Sequence, residues 1–313
     1  MTMSGVAHSE LTAFQEVHAS AIDAAIAAVA EELLEGVPEI VAAPIRYALA
    51  GGGKRLRPHL CVAAYLTAVG EGEPAGLVEP GPIHRIAAAI EFVHTYSLVH
   101  DDLPCMDDDD LRRGRPSTHR AFNVPQAVVG GAALIPLACE ALVRGSRELG
   151  LDAAGGAALV RELCRGAGGG GMVGGQWLDL EAEGRTITLA ALENVHRRKT
   201  GALLAASVRI GAIAGRADSG VLDALDRYGE AVGLAFQIAD DVLDVTGTSE
   251  RLGKTAGKDR EVSKATFPAV LGLEQARARA EAEVATAVSA LTEAGLASSE
   301  LMALARFAVA RDR

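Results

Sequence analysis

Apolar residues recur along this chain at the spacing of a helix. In "IAAAIEFVHTYSLVH", Ile86, Ile90, Val93 and Ser97 fall on one stripe, because residues three and four apart share a helical face. No stretch shows the apolar and polar alternation of a half-buried strand. The helical pattern is broken by "GGGKRLRP", by "GEGEPAG" and "EPGP" around residues 70–82, by "GAGGGGMVGG" at 166–175 and by "GTSERLGKTAGKD" at 247–259. Such glycine- and proline-rich segments read as loops or helix breaks, and none has the character of a domain linker. The pattern predicts an all-α fold of about ten or more helices, in a single domain over residues 1–313. The longest uncharged run, Ala121 to Cys139, contains Asn123, Pro125, Gln126 and Pro136. It reads as a buried helix with an irregular start and a poor membrane span.

Composition narrows the function. The formal net charge of −11 argues against nucleic acid and anionic membrane surfaces as principal partners, although a local basic patch can still hold a small anion. The four cysteines, Cys61, Cys105, Cys139 and Cys164, form no C-x-x-C pair, so neither a zinc site nor a disulfide framework is expected. The opening "MTMSGVAHSELTAFQEV" lacks the basic start and apolar core of a signal peptide. A cytoplasmic protein is expected, with no membrane insertion.

The chemistry is concentrated in "HTYSLVHDDLPCMDDDDLRRGRP", His94 to Pro116, with six aspartates and three arginines. Asp101 lies on the helical face of His94 and Ser97, whereas Asp107 is turned roughly 120° from Asp101 on an ideal helix. Pro104 resolves the mismatch, since proline ends or kinks a helix and lets the chain fold Asp107 back. Two carboxylates about 6 Å apart repel by roughly 3 kcal/mol at an effective dielectric near 20, so their convergence asks for a cation. Mg²⁺ with phosphate oxygens in its shell is the natural one. An isolated acidic run reads more simply as a solvated helix end, but a second cluster changes that. In "LAFQIADDVLDVTG", Asp240 and Asp244 are four apart on one face, with Asp241 between them, and like charges at that spacing destabilise a helix.

Basic stretches accompany both clusters: "HRRKTGAL" with Lys199 and Thr200, Lys254 and Lys258 downstream, and "GGGKRLRP" with Lys54, Arg55 and Arg57. Arginine forks match phosphate oxygens. The combination is a ligand set for diphosphate plus Mg²⁺. No dinucleotide fingerprint or H-E-x-x-H competes, and "GAGGGGMVGG" lacks the G-K-[ST] ending of a phosphate loop; a close helix contact or break suits it better.

Taken jointly and in order, "GGKRLRP", "DDLPCMD", "DLRRGRPSTH", "GMVGGQWLDL", "HRRKTGALL" and "LAFQIADDVLD" resemble the trans-isoprenyl diphosphate synthase (polyprenyl synthetase) family, of the bacterial farnesyl diphosphate synthase type. The resemblance spans roughly residues 46 to 268. It implies a single-domain isoprenoid synthase fold, with helices around a central active-site cavity, usually as a homodimer. It implies Mg²⁺, about three ions per site, on Asp101, Asp102 and Asp107 and on Asp240, Asp241 and Asp244. The allylic diphosphate falls to Arg112, Lys199, Lys254 and Lys258, and isopentenyl diphosphate to Lys54, Arg57, His94 and Arg113. Thr200 and Gln237, with the Lys199 carbonyl, stabilise the carbocation left when the allylic C–O bond breaks.

Product length is expected to depend on Tyr96 and Ser97. Tyr96 precedes Asp101 by five residues, about 7.5 Å along the helix, and in the resembling family an aromatic here stops the product near C15. The implied reaction condenses isopentenyl diphosphate with dimethylallyl and geranyl diphosphates to give farnesyl diphosphate. A geranylgeranyl diphosphate synthase is the nearest alternative, and a non-catalytic regulatory subunit a further one. Two positions depart from the family pattern: Ala132 stands where an acid is common, and Trp177 where a small residue is common, with a ring large enough to narrow the cavity.

Overall fold

The computed structural model describes residues 3–70, 79–246 and 265–310. Its helices are α1 (Met3–Leu33), α2 (Glu39–Leu49), α3 (Leu56–Val69), α4 (Pro82–Asp101), α5 (Thr118–Ala121), α6 (Val124–Glu148), α7 (Ala153–Ala167), α8 (Met172–Ala182) and α9 (Leu189–His196). A π-helical turn, Arg197–Gly201, leads into α10 (Ala202–Ala214) and α11 (Ser219–Thr246), followed by α12 (Phe267–Leu271), α13 (Leu273–Glu293) and α14 (Ser299–Val309). The all-α expectation holds, with one addition. Two two-residue strands, β1 (Leu111–Arg112) and β2 (Arg115–Pro116), pair antiparallel between α4 and α5. They are too short for alternation to reveal. Their turn has positive φ at Arg113 and Gly114 (53° and 73°), the signature of a tight hairpin turn.

Helix starts follow local chemistry. Asn123, Asp152, Thr188 and Ser298 each accept a hydrogen bond from a backbone N–H in the first turn of α6, α7, α9 and α14, satisfying donors that a helix start leaves unpaired. Pro82 and Pro125 occupy first-turn positions of α4 and α6, where a missing N–H costs nothing.

α4 is the central helix and packs against α1, α2, α3, α6 and α10. Ile83, Ile86, Ile90, Phe92 and Val93 on it are essentially inaccessible, which is why its sequence is apolar on more than one stripe. α10 is the second core helix, between α3, α7 and α11. A Cβ on Gly211 would come within 2.1 Å of the Cys61 carbonyl oxygen, so only glycine lets α10 and α3 approach this closely. Their ends meet at the functional region: α4 terminates in the first aspartate cluster, and α10 begins at the Lys199–Thr200 turn.

A buried ion pair pins this frame. Arg55, in a left-handed conformation (φ 50°) just before α3, donates to Glu91 on α4 at 2.6 Å and to Asp23 on α1 at 2.9 Å. The run expected as a buried helix is buried on one side only. α6 packs against α2, α4 and α7, yet Val124, Val128 and Val129 on it are exposed. By length and composition α6 could cross a bilayer.

Candidate active site

The first cluster folds back at Pro104 as its position requires. α4 stops at Asp101, the Asp107 N–H donates to the Asp101 carbonyl at 2.8 Å, and the Asp109 N–H donates to that of Asp102 at 3.2 Å. The Asp101 carboxyl is pushed up to about 6 by burial, with the charges of Asp107 and Asp102 adding to the effect and Lys199 and Arg112 opposing it. A carboxyl in this condition is only partly compensated by the cations around it. Hard oxygen donors crowded in this way fit Mg²⁺.

Asp102 points elsewhere. It is 2% exposed and ion-paired with Arg112, whose Nε donates to Oδ1 at 2.9 Å. Burial raises its carboxyl and the Arg112 contact draws it back. Arg112 is held by the hairpin strand β1. Its neighbour Arg113, at the hairpin turn, reaches the Gly52 carbonyl, which brings "RRGRP" onto "GGGKRLRP".

His94 lies beside this junction. Burial is the main reason its imidazole is held well below the usual histidine range, and the charges of Arg57, Arg113, Arg112 and Arg55 add to it. Its Nδ1 is buried without a hydrogen-bond partner. Lys54 lies with its Nζ 5.7 Å from the Phe307 ring centroid. His94, Arg57 and Arg113 thus share one strongly positive pocket, and Arg112 joins it to the aspartates. A small cleft opens next to it, lined by Tyr47, Thr95, Asp102, Arg112, Arg113 and Ser117 among others.

The opposite side is built on the π-helical turn, a local widening that recurs at functional sites. A Cβ on Gly175 of α8 would lie 2.1 Å from the Lys199 backbone nitrogen. The glycine-rich stretch therefore acts at this point as a close helix contact. Lys199 Nζ donates to Asp179 of α8 at 2.6 Å, and its charge is felt at Asp101. Thr200 Oγ1 donates to Gln237 Oε1 at 2.7 Å, and Gln237 Nε2 donates to Asp241 Oδ1 at 3.1 Å. Asp241 Oδ2 also accepts from the Phe267 N–H at 2.9 Å and lies 3.2 Å from His196 Nε2. Asp241 is buried, while Asp240 and Asp244 are half-buried on α11. Lys254 and Lys258 lie outside the described residues.

Tyr96 packs edge-on against His100, centroids 4.6 Å apart, and His100 Nε2 lies 3.3 Å from the Val128 carbonyl of α6. The Tyr96 hydroxyl is raised by burial and by the Asp101 charge, so the ring is close to the acidic cluster. Ser97 Oγ turns back to the His94 carbonyl at 2.8 Å. Trp177 corrects an expectation: it is 68% exposed, and a ring in solvent cannot narrow an internal cavity. Sequence reasoning missed Asp179, His196 and the Phe267 amide. Asp179 had a signal, one helical turn after Gly175; the other two act through tertiary contacts that no spacing encodes.

Residues 38–300 match the model of the polyprenyl synthetase family. The farnesyl diphosphate synthase of Escherichia coli (strain K12) is 44% identical over 273 residues, 86% of this chain and 88% of that protein. A chloroplastic geranylgeranyl pyrophosphate synthase of Capsicum annuum is 43% identical over 79% of this chain and 64% of its own length. Among solved structures, a Helicobacter pylori geranyltransferase complexed with magnesium and isoprenyl diphosphate superimposes with a TM-score of 0.77 at 32% identity, covering 93% of this chain and 95% of that one.

Proposed function

The chain belongs to the polyprenyl synthetase family, and from that membership we infer how its residues carry the reaction. It is a short-chain trans-prenyltransferase that joins isopentenyl diphosphate head to tail with allylic diphosphates to give farnesyl diphosphate, with release of diphosphate. The observation that carries the assignment of residues is the junction at Lys199 and Thr200. Lys199 acts electrostatically on Asp101 of the first cluster, and Thr200 is hydrogen-bonded through Gln237 to Asp241 of the second.

Asp101 and Asp107 on one side and Asp240 and Asp244 on the other would hold Mg²⁺. Asp102 and Asp241, each committed to protein partners, would keep those carboxylates in register. Four carboxylates and a diphosphate carry roughly seven negative charges, which divalent cations and the basic side chains around them would offset together. Bound Mg²⁺ supplies Lewis-acid stabilisation of the charge that grows on the leaving diphosphate.

The chain's own groups do the rest. Lys199 and Arg112, with Lys254 and Lys258, would pair with the allylic diphosphate oxygens as the C–O bond breaks. Lys54, Arg57 and Arg113 would grip the diphosphate of isopentenyl diphosphate, and His94, held neutral, would donate one hydrogen bond to it. Thr200 Oγ1 donates its hydrogen bond to Gln237, so its oxygen lone pairs would face the allylic cation, together with the Lys199 carbonyl. The isopentenyl double bond attacks that cation, and released diphosphate accepts the proton lost afterwards. Enclosure by α4, α10 and α11 would keep water from quenching the cation. Tyr96, with Ser97 beside it, would close the floor of the chain pocket near C15.

Two wider proposals accompany this. A second copy of the chain would cover the exposed valines of α6, giving a homodimer, and the enzyme would work in the cytoplasm. The assignment of residues is tested by comparing turnover of the wild type and of Asp107→Asn in Mg²⁺ and in excess chelator. Turnover is expected to require the metal and to fall by at least about 100-fold in the variant. Full activity without divalent cation would contradict the reading.

A further inference from the structure

Beyond Asp107 the chain carries three side chains with no part in the reaction described above. Asp108 and Asp110 lie in the segment leading to β1, and His119 lies in α5, on the other side of the hairpin. One carboxylate oxygen from each acid and a ring nitrogen of His119 lie within 4.8 Å of one another. A surface acidic pair is ordinary by itself; the histidine sets this group apart. His119 is 6% exposed, its Nδ1 is 3.1 Å from Ser117 Oγ, and its Nε2 is buried with no hydrogen-bond partner. A buried polar atom left unsatisfied costs free energy and calls for a reason.

We propose that Asp108, Asp110 and His119 form a binding site for a first-row transition-metal cation of the zinc type, separate from the magnesium site of Asp101 and Asp107. In the tautomer that donates Nδ1–H to Ser117 Oγ, the lone pair stands on Nε2, free for a metal while the other ring nitrogen is held by the protein. One imidazole nitrogen with two carboxylates is a donor set for Zn²⁺ or Mn²⁺, whereas Mg²⁺ prefers oxygen alone. Around tetrahedral Zn²⁺, with bonds of about 2.1 Å, donor atoms stand about 3.4 Å apart. The three donors therefore need to draw in by no more than about 1.4 Å from their present limit, and both acids are exposed. Asp110 would trade its exposed ion pair with Arg120 for the metal, a weak contact to give up. The Ser117 N–H already donates to the Asp110 carbonyl at 2.9 Å, closing the segment that carries Arg112 and Arg113. A bound ion would staple that segment at its base. The cysteines gave no reason to expect zinc; here the donors are nitrogen and oxygen.

The test is calorimetric titration of the full chain with Zn²⁺, after treatment with chelator and desalting, with Mg²⁺ kept saturating. The expected result is one equivalent bound, weakened by at least about 100-fold in His119→Gln and in the surface double variant Asp108→Asn/Asp110→Asn, and by about tenfold in Ser117→Ala. Absence of saturable binding overturns the proposal. So does binding that is equally tight in both ligand variants, or that is lost in His119→Gln alone, since the ion would then sit elsewhere or depend only on folding.

Discussion

A carboxyl raised to about 6 stores an electrostatic cost that a divalent cation removes, and Asp101 is placed to use it. Asp101→Asn deletes the buried charge along with the metal donor. It is expected to raise the Tm of the metal-free protein by about 2–5 °C while lowering kcat by at least about 100-fold; calorimetry and steady-state assays on one preparation check both. A drop in Tm would mean that the carboxylate is already compensated. Tyr96 stands five residues before Asp101, and its edge contact with His100 explains how the ring is held. Tyr96→Ala is expected to lengthen the product to C20 and beyond with kcat within about tenfold of wild type, read by chromatography of dephosphorylated products. Asp102 and Asp241 show where residue spacing runs out. Both belong to aspartate-rich motifs, yet Arg112 engages one, and Gln237, His196 and Phe267 engage the other. Arg112, His196 and Phe267 come from other elements, so the linear motif does not encode those contacts.

At the level of elements, helical periodicity and glycine breaks located the helices because period and punctuation are local properties. The β1–β2 hairpin was not legible, since two-residue strands carry no alternation and Arg113 adopts a positive φ usually left to glycine or asparagine. It turns Arg112 towards the acids and Arg113 towards Gly52. The α8 contact was legible only as a glycine cluster. Gly175→Ala puts a Cβ against the Lys199 backbone, and overpacking of this kind costs about 1–3 kcal/mol. Its urea midpoint should fall, and kcat should fall with it, because the π-helical turn must shift. The Arg55–Glu91 pair joins α3 to α4 with both side chains under 10% exposed. Removing Glu91 leaves the buried Arg55 guanidinium with only the exposed Asp23 carboxylate as counter-charge, so Glu91→Ala is expected to destabilise by up to about 3 kcal/mol, measured by denaturant unfolding.

For the molecule as a whole, three histidines tie pH to stability. His18 on α1, His59 on α3 and His84 on α4 cluster with Phe14. Burial lowers His59 and His84 to about 4 and lowers His18, with Asp23 and Glu300 opposing at His59 and His18. Above pH 6.5 these rings are neutral in both folded and unfolded chains. Between 6.5 and 4 the unfolded chain takes up protons that the folded chain refuses, so stability falls as pH falls. The loss is on the order of 3 kcal/mol each for His59 and His84 by pH 4, and a urea midpoint unchanged over that range would refute it. The exposed valines of α6 give the other whole-molecule expectation. Light scattering should report about 64 kDa, twice the 32.2 kDa chain, and polar replacement of Val128 and Val129 should shift it towards monomer. The most direct test of the central claim is to incubate the protein with Mg²⁺, isopentenyl diphosphate and dimethylallyl diphosphate and to size the dephosphorylated products. A C15 alcohol that disappears in chelator is the predicted result; a C20 product as the main species, or no product from any allylic primer, would contradict the account.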